Sequence, residues 1–301
     1  MIPISDLRGA QREWNPWAPL PCVADGETPI VRFSSSNEHL ALRFSIDTQL
    51  EYTLANPADL LFALEVAQLP DQILITDRLT VSGVDSLHPI AGEESLGRRT
   101  WATAANRISA HYAATVDVVR APVVLAGLVA DKLHALPPLV VPYLFSSRYC
   151  EADRFTTAVS REFGELGGGD AIQAMADWIS GHVDYVPGSS DANTTAADTY
   201  VSHQGVCRDF AHLLIAMSRA AGIPARMVGA YAWALKPQDF HAVVEVWLEG
   251  AWHLVDATKL APTEGIVRIA VGRDATDVSF LTIFGQAEMV RQEVRVDLIA
   301  A

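Results

Sequence analysis

The chain has 301 residues, 50% of them apolar and 19% charged, with a formal net charge of −14 and a pI near 5.0. That is globular composition, with length for one large domain or two ordinary ones. The acidity argues against nucleic acid as a partner, because a phosphate backbone would repel such a surface.

The cysteines Cys22, Cys150 and Cys207 form no CxxC pair and are odd in number. Neither a disulfide framework nor a cysteine-rich zinc site is expected, and no cofactor is implied. A reducing compartment, the cytoplasm of a bacterium, is the expectation.

Residues 1–36 read as an extension. They carry three prolines in "NPWAPLP" (Asn15 to Pro21), end in "SSSN" and show no period of strand or helix. Trp14 and Trp17 favour some docking of this segment. The opening residues have neither the basic cluster nor the apolar stretch of a signal peptide.

Over 37–140 the chain reads as β-strands. "HLALRFSIDTQLEYTLA" alternates in places, "DQILITDRLTVSG" reads as two short strands, "NRISAHYAATVDVV" alternates over a longer span, and Gly83, Pro89, Gly92 and Gly97 supply turns. A small β-sandwich-like domain is the economical assembly. Leu60 to Leu69 fits a short helix or a buried strand equally well. The apolar run Ala121 to Ala130 is too short to span a bilayer and is followed by Asp131 and Lys132, so no membrane is expected.

From 141 to 301 the pattern changes. Pro137, Pro138 and Pro142 lead to "YLFSSRYC" (Tyr143 to Cys150), then to a helical stretch ending at Gly167-Gly168-Gly169. A second helix is expected from Asp170 as its N-cap. A polar loop follows, Val186 to Gly205, and then a helix beginning at or beside Cys207. Phe210, Leu213, Leu214, Met217, Ala220 and Ala221 share one face of that helix, and Gly222-Ile223-Pro224 ends it. Strands make up the remainder. Helices followed by an antiparallel sheet indicate an α+β domain.

The stretch "GVCRDFAHL" (Gly205 to Leu213) places a rare cysteine at that helix start. A lone cysteine is more often an inert buried thiol. At a helix N-terminus, however, unpaired N–H groups and the helix dipole favour the thiolate and can later hold an oxyanion. A reactive thiol also needs a base and a group to orient that base.

"FHAVVEVWLEGAWHLVDAT" supplies both. If Glu249-Gly250 is a two-residue hairpin loop, Trp247 faces Trp252, Val243 faces Asp256 and His241 faces Thr258. His241 and Asp256 are then diagonal neighbours on one face. A three-residue loop would turn Asp256 away. The other histidines fit less well. His253 points to the opposite face, His212 lies more than a turn inside the helix, and His203 sits on a loop with no evident orienting partner.

These residues resemble the transglutaminase-like superfamily over roughly 143–285. The resemblance is carried by "YLFSSRYC", "TTAADTYVSHQGVCRDFAHLLIAMSRAAGIPARMVGAY", the hairpin strands and "VGRDATDVSF". It implies a papain-like, transglutaminase-like core of helices on an antiparallel sheet, with Cys207, His241 and Asp256 as a triad. The β-rich first half is similar to the N-terminal region of bacterial members.

Some positions depart from the family pattern. Val243 stands where the family often has Trp, two beyond the histidine. Val201 occupies the place of the papain-type oxyanion glutamine, which leaves Gln204 and Tyr200 as candidates beside the Cys207 N–H. The calcium sites of animal transglutaminases have no recognisable counterpart. "GRDATDVSF" reads as a turn held by Asp274 and Asp277, "SSRYC" as a packed junction, and Asp209 as a charge on the first helical turn.

The resemblance implies thiol-dependent acyl transfer on a peptide or protein substrate. A cysteine peptidase or amidase is expected, with a transglutaminase as the alternative and a non-enzymatic binding module as the second. Neither the acceptor nor the oligomeric state is legible.

Overall fold

The computed structural model describes residues 41–299, so the extension expected over 1–36 lies outside the described residues. In β1 (Leu42–Leu54), Phe44, Ile46, Thr48 and Leu50 are buried between half-exposed neighbours. This period of two suits a sheet with one face on a core. β2 (Ala58–Phe62), β3 (Gln72–Val84), β4 (His88–Ala91) and the long β5 (Arg98–Val118) complete the strands of the first half. The two short strands expected over "DQILITDRLTVSG" are the single strand β3, and of the ambiguous stretch Leu60 to Leu69 only the start, Leu60 to Phe62, is strand. Its side chains bury against β5, to which Leu60 pairs opposite Ala102.

A connector leads to α1 (Thr156–Phe163) and α2 (Gly168–His182), then to the two-residue β6 (Asp184–Tyr185), α3 (Ala196–Ser202) and the two-residue β7 (Gln204–Gly205). Next come α4 (Cys207–Ala220), β8 (Ala225–Ala232), β9 (Phe240–Leu248), β10 (Ala251–Val255) and β11 (Ile266–Gly272). The short α5 (Ala275–Val278), β12 (Leu281–Ile283) and β13 (Ala287–Ile299) close the chain.

Two of these elements differ from the expectation. α2 starts at Gly168, two residues early, and Asp170 instead accepts the Gly127 N–H at 3.1 Å. Gly168 adopts φ +54°, and a Cβ there would collide with the Leu128 carbonyl, so only glycine permits this entry. The loop expected over 186–205 contains α3, opened by Thr195 and Asp198 in a reciprocal capping box. The T-x-x-D pattern was the available signal.

The β-rich region is a curled antiparallel sheet with β5 as its spine. β1 and β3 flank its C-terminal part, and β2 and β4 its N-terminal part. From the end of the described chain, β12 and β13 return to this first sheet and pair with β2 and β1. The first sheet is thus built from both ends of the described chain.

The second sheet, in the order β10-β9-β8-β11, is antiparallel. α4 packs on one face. The other face carries an apolar cluster that includes Val228, Ala230, Val243, Leu254 and Ile266. With both faces covered, all eight residues of β8 are buried.

The two sheets are joined by polar groups. The buried Gln72 amide donates to the Arg268 carbonyl at 2.9 Å and accepts the Arg268 N–H at 2.8 Å, mimicking a strand pair. Glu245, with no exposure, is held between Arg226 at 2.7 Å and Arg268 at 2.8 Å. Arg226 continues to Glu94 at 2.9 Å, and Arg268 also pairs with Asp71.

Candidate active site

α4 begins at Cys207 because its neighbours close the first turn. The Val206 N–H donates to Asp209 Oδ2 at 2.8 Å, the arrangement of a carboxylate at the third helical position. Asp209 is fully buried. Ser190 Oγ donates to the same oxygen at 2.5 Å, and the Arg208 guanidinium donates to the other at 3.1 and 3.2 Å. Gly205 makes this approach possible, since a Cβ on it would lie 2.7 Å from Asp209 Cβ. Gly, Arg and Asp in "GVCRD" therefore all serve to fix where the half-exposed thiol stands.

The hairpin has the register expected from a two-residue loop: Ala251 pairs with Leu248 and Trp252 with Trp247. Glu249 and Gly250 take φ +51° and +75°, as a type I′ turn demands. The non-glycine Glu249 is tolerated there because its carboxylate accepts the Val129 N–H at 3.0 Å. The Gly250 N–H also donates to Asp131 at 3.0 Å, so the connector clamps the turn.

This register brings His241 to Asp256, with Nε2 donating to Oδ2 at 3.0 Å. Both carboxylate oxygens are fully engaged. Oδ2 also accepts the Ala261 N–H at 3.1 Å, while Oδ1 accepts the Thr258 N–H and hydroxyl at 2.9 and 2.7 Å. His241 Nδ1 is buried with no hydrogen-bond partner of its own among the described residues, and Cys207 lines the same cavity as His241. The imidazole thus has its carboxylate on one nitrogen and the other left for the sulfur.

The electrostatics follow from that placement. Burial is the largest effect on His241 and opposes its charge, but Asp256 and then Cys207 outweigh it and push its pKa up to about 10. Burial likewise raises Asp256, and His241 with Thr258 holds it below the ordinary carboxylate range.

The sign of the pH dependence is set by these shifts. A histidine raised from 6.5 to about 10 contributes stability that is complete below pH 6.5 and vanishes as pH rises through 10. An NMR titration of the His241 ring should therefore give a midpoint near 10. In Asp256→Asn, which removes the foremost attraction, the midpoint should fall toward the ordinary histidine range.

The other residues considered from sequence lie elsewhere. His253 donates to the Leu248 carbonyl at 3.0 Å, and His203, at φ +55°, donates to the His182 carbonyl at 2.9 Å. His212 is buried in α4 and accepts the Ala275 N–H at 3.1 Å, and burial pushes its pKa down to about 3. Cys150 is fully buried, which pushes its thiol up to about 12. Tyr200 packs against Phe155 and Trp178, and Gln204 is exposed.

Sequence reading missed Tyr185. β6 pairs in parallel with β7, setting Tyr185 opposite Gly205 and its phenol beside Cys207, whose charge adds to the upward shift of the phenol. Burial raises this phenol to about 12, so it is a proton donor at neutral pH. A two-residue parallel ladder exists only through tertiary contact, and nothing in "HVDYVP" announces it.

Comparison with known proteins accords with this geometry. The family profile described as the transglutaminase-like superfamily matches residues 156–257, a span that contains Cys207, His241 and Asp256. An uncharacterised protein of Mycobacterium leprae is 32% identical over 117 residues, a match covering 36% of this chain and 42% of that protein. A solved structure from Cytophaga hutchinsonii, described as a candidate cysteine protease, is 33% identical with a TM-score of 0.81. That match covers 88% of this chain and 92% of the other. With a third of its residues shared across nearly the whole of that solved chain, and the family profile lying over the cysteine-to-aspartate span, this chain belongs to the transglutaminase-like superfamily.

Proposed function

We propose that the protein is a thiol-dependent acyl-transfer enzyme, a cysteine peptidase or amidase acting on peptide or protein substrates. The observation that carries this reading is the His241 ring held at 3.0 Å by a fully hydrogen-bonded Asp256, with its other nitrogen buried and left for Cys207. The description of the Cytophaga hutchinsonii relative supports the same class.

In this mechanism the Cys207 thiolate attacks the substrate carbonyl. The oxyanion is met by the Cys207 N–H at the start of α4, with the Tyr185 hydroxyl beside Cys207 as the second donor. Protonated His241 gives its proton to the leaving amine while Asp256 keeps the ring oriented, and a thioester remains on Cys207. Neutral His241 then takes a proton from water, which attacks the thioester and releases the acid.

Incubation with a mixed peptide library tests this reading. New amino termini or released ammonia, lost in Cys207→Ala, are the expected products. Incorporation of a labelled primary amine in place of hydrolysis would reassign the enzyme to transamidation. Alkylation of Cys207 by iodoacetamide no faster than that of a free thiol would sink the thiol mechanism altogether.

A further inference from the structure

Cys207 and His241 open onto a cavity of about 310 Å³ whose remaining wall is largely apolar. Resting on the function proposed above, we propose that this cavity binds the side chain of the acyl half of the substrate and selects an uncharged, apolar one of leucine or phenylalanine type. The segment "DATDVSF", which reads in sequence as a structural turn, is the selecting wall.

The wall is built from α5 and the residues after it. Ala275, Val278 and Phe280 line the cavity together with Met227 and Phe240. The rings of Phe240 and Phe280 stack with centroids 3.8 Å apart. Gly229 keeps the space open, because a Cβ there would stand 3.2 Å from the Val278 carbonyl and 3.4 Å from the Phe280 ring.

Among the described residues, most of the lining polar groups are already engaged, with Arg208 Nη1 the exception. The Tyr149 hydroxyl donates to the Ala192 carbonyl at 2.7 Å, and Ser279 Oγ to the Leu281 carbonyl at 3.2 Å. Arg208 is matched by the buried Asp209 and also donates to Ser190 Oγ and the Asp191 carbonyl at 3.2 and 2.8 Å. A charged side chain entering this space would lose water and meet, among the lining groups, only a guanidinium already paired with a buried carboxylate.

The wall is also held rigidly to the nucleophile's helix. Asp274, 2% exposed, accepts the Thr276 and Tyr149 N–H groups at 2.9 and 3.1 Å. His212, on α4 with Cys207, accepts the Ala275 N–H at 3.1 Å and stacks on Tyr149 with centroids 5.0 Å apart. Thiol and pocket wall therefore keep one geometry, which a pocket must do to discriminate.

Peptidyl chloromethyl ketones that differ only in the side chain next to the reactive carbon test the proposal. In each reaction the sulfur–carbon bond forms and chloride leaves. The rate of Cys207 labelling, read by mass spectrometry, is divided by the same protein's iodoacetamide rate. Leucine and phenylalanine probes should exceed glutamate and lysine probes by at least about tenfold. Ala275→Leu, which fills the cavity, and the milder Gly229→Ala should each shrink that ratio. Equal rates for all probes, or a faster glutamate probe through Arg208, on a protein whose thiol iodoacetamide labels rapidly, would overturn the pocket and leave the thiol mechanism standing. A thiol labelled rapidly by neither reagent class would overturn both.

Discussion

Cys207→Ala is expected to lower hydrolysis by on the order of 10⁴-fold or more, the scale on which a covalent nucleophile contributes. His241→Ala should lose a similar factor. The double variant should be no worse than either single one, because the two residues act as a unit whose effects do not add. The physical reason is that in the proposed mechanism the imidazole, raised to about pKa 10 between Asp256 and Cys207, serves as both the counter-ion of the sulfur and the proton source for the leaving amine. Without the sulfur there is nothing to protonate for, and without the ring the leaving group departs as an anion. Cys150→Ala is the control, because that thiol is fully buried in the core. Activity surviving in Cys207→Ala would overturn the thiol mechanism, and a wild type without activity would return the protein to the class of non-enzymatic modules. The measurement is product formation from the peptide library, with each variant's fold checked by circular dichroism.

Glu245→Ala is the substitution expected to destabilise most. It leaves the guanidiniums of Arg226 and Arg268, 3% and 8% exposed, without the carboxylate that both share. Breaking such a buried pair from one side costs about 3–5 kcal/mol, since both guanidiniums stay desolvated and each keeps only its outer carboxylate, Glu94 or Asp71. At about 2–4 °C per kcal/mol for a chain of this size, the melting temperature should drop by roughly 6–20 °C.

Burial raises the Glu245 carboxyl, but its two arginines more than offset that and hold it below its ordinary value of 4.5. The stabilisation it contributes is present above that value and is lost as pH falls through the lowered one. The wild type should therefore lose this contribution in acid, and Glu245→Ala should show a flatter acid limb. Because the network reaches Asp71 and Glu94 beside the first sheet, its loss should loosen the join between the sheets, read as faster hydrogen exchange in β11.

The reactive geometry was unusually legible. Alternation in β9 and β10, with Glu249-Gly250 as the only plausible two-residue loop between them, places His241 and Asp256 on one face before any coordinate is known. The helix start at or beside Cys207 was legible as well, from the apolar face of Phe210, Leu213, Leu214 and Met217 and from Asp209 as a charge on the first turn.

Other features were harder to read. Asp170 looked like the cap of α2, but the chain enters that helix through Gly168 in order to meet the Leu128 carbonyl, a contact 40 residues away in sequence. The return of β12 and β13 to the first sheet was illegible for a related reason. Their alternation marks them as strands, but strand pattern names no partner, and β13 found β1 across most of the chain's length.

Sequence by itself determined what local periodicity and turn chemistry can specify: the fold class, the helix that begins at the thiol, and the hairpin register that pairs His241 with Asp256. Tertiary structure alone decided what depends on elements distant in the chain. It set Tyr185 against Cys207 through a two-residue ladder, joined the sheets through Gln72 and Glu245, and folded 275–280 into the wall of the cavity. Side chains separated by tens or hundreds of residues share no period, so only packing could bring them together.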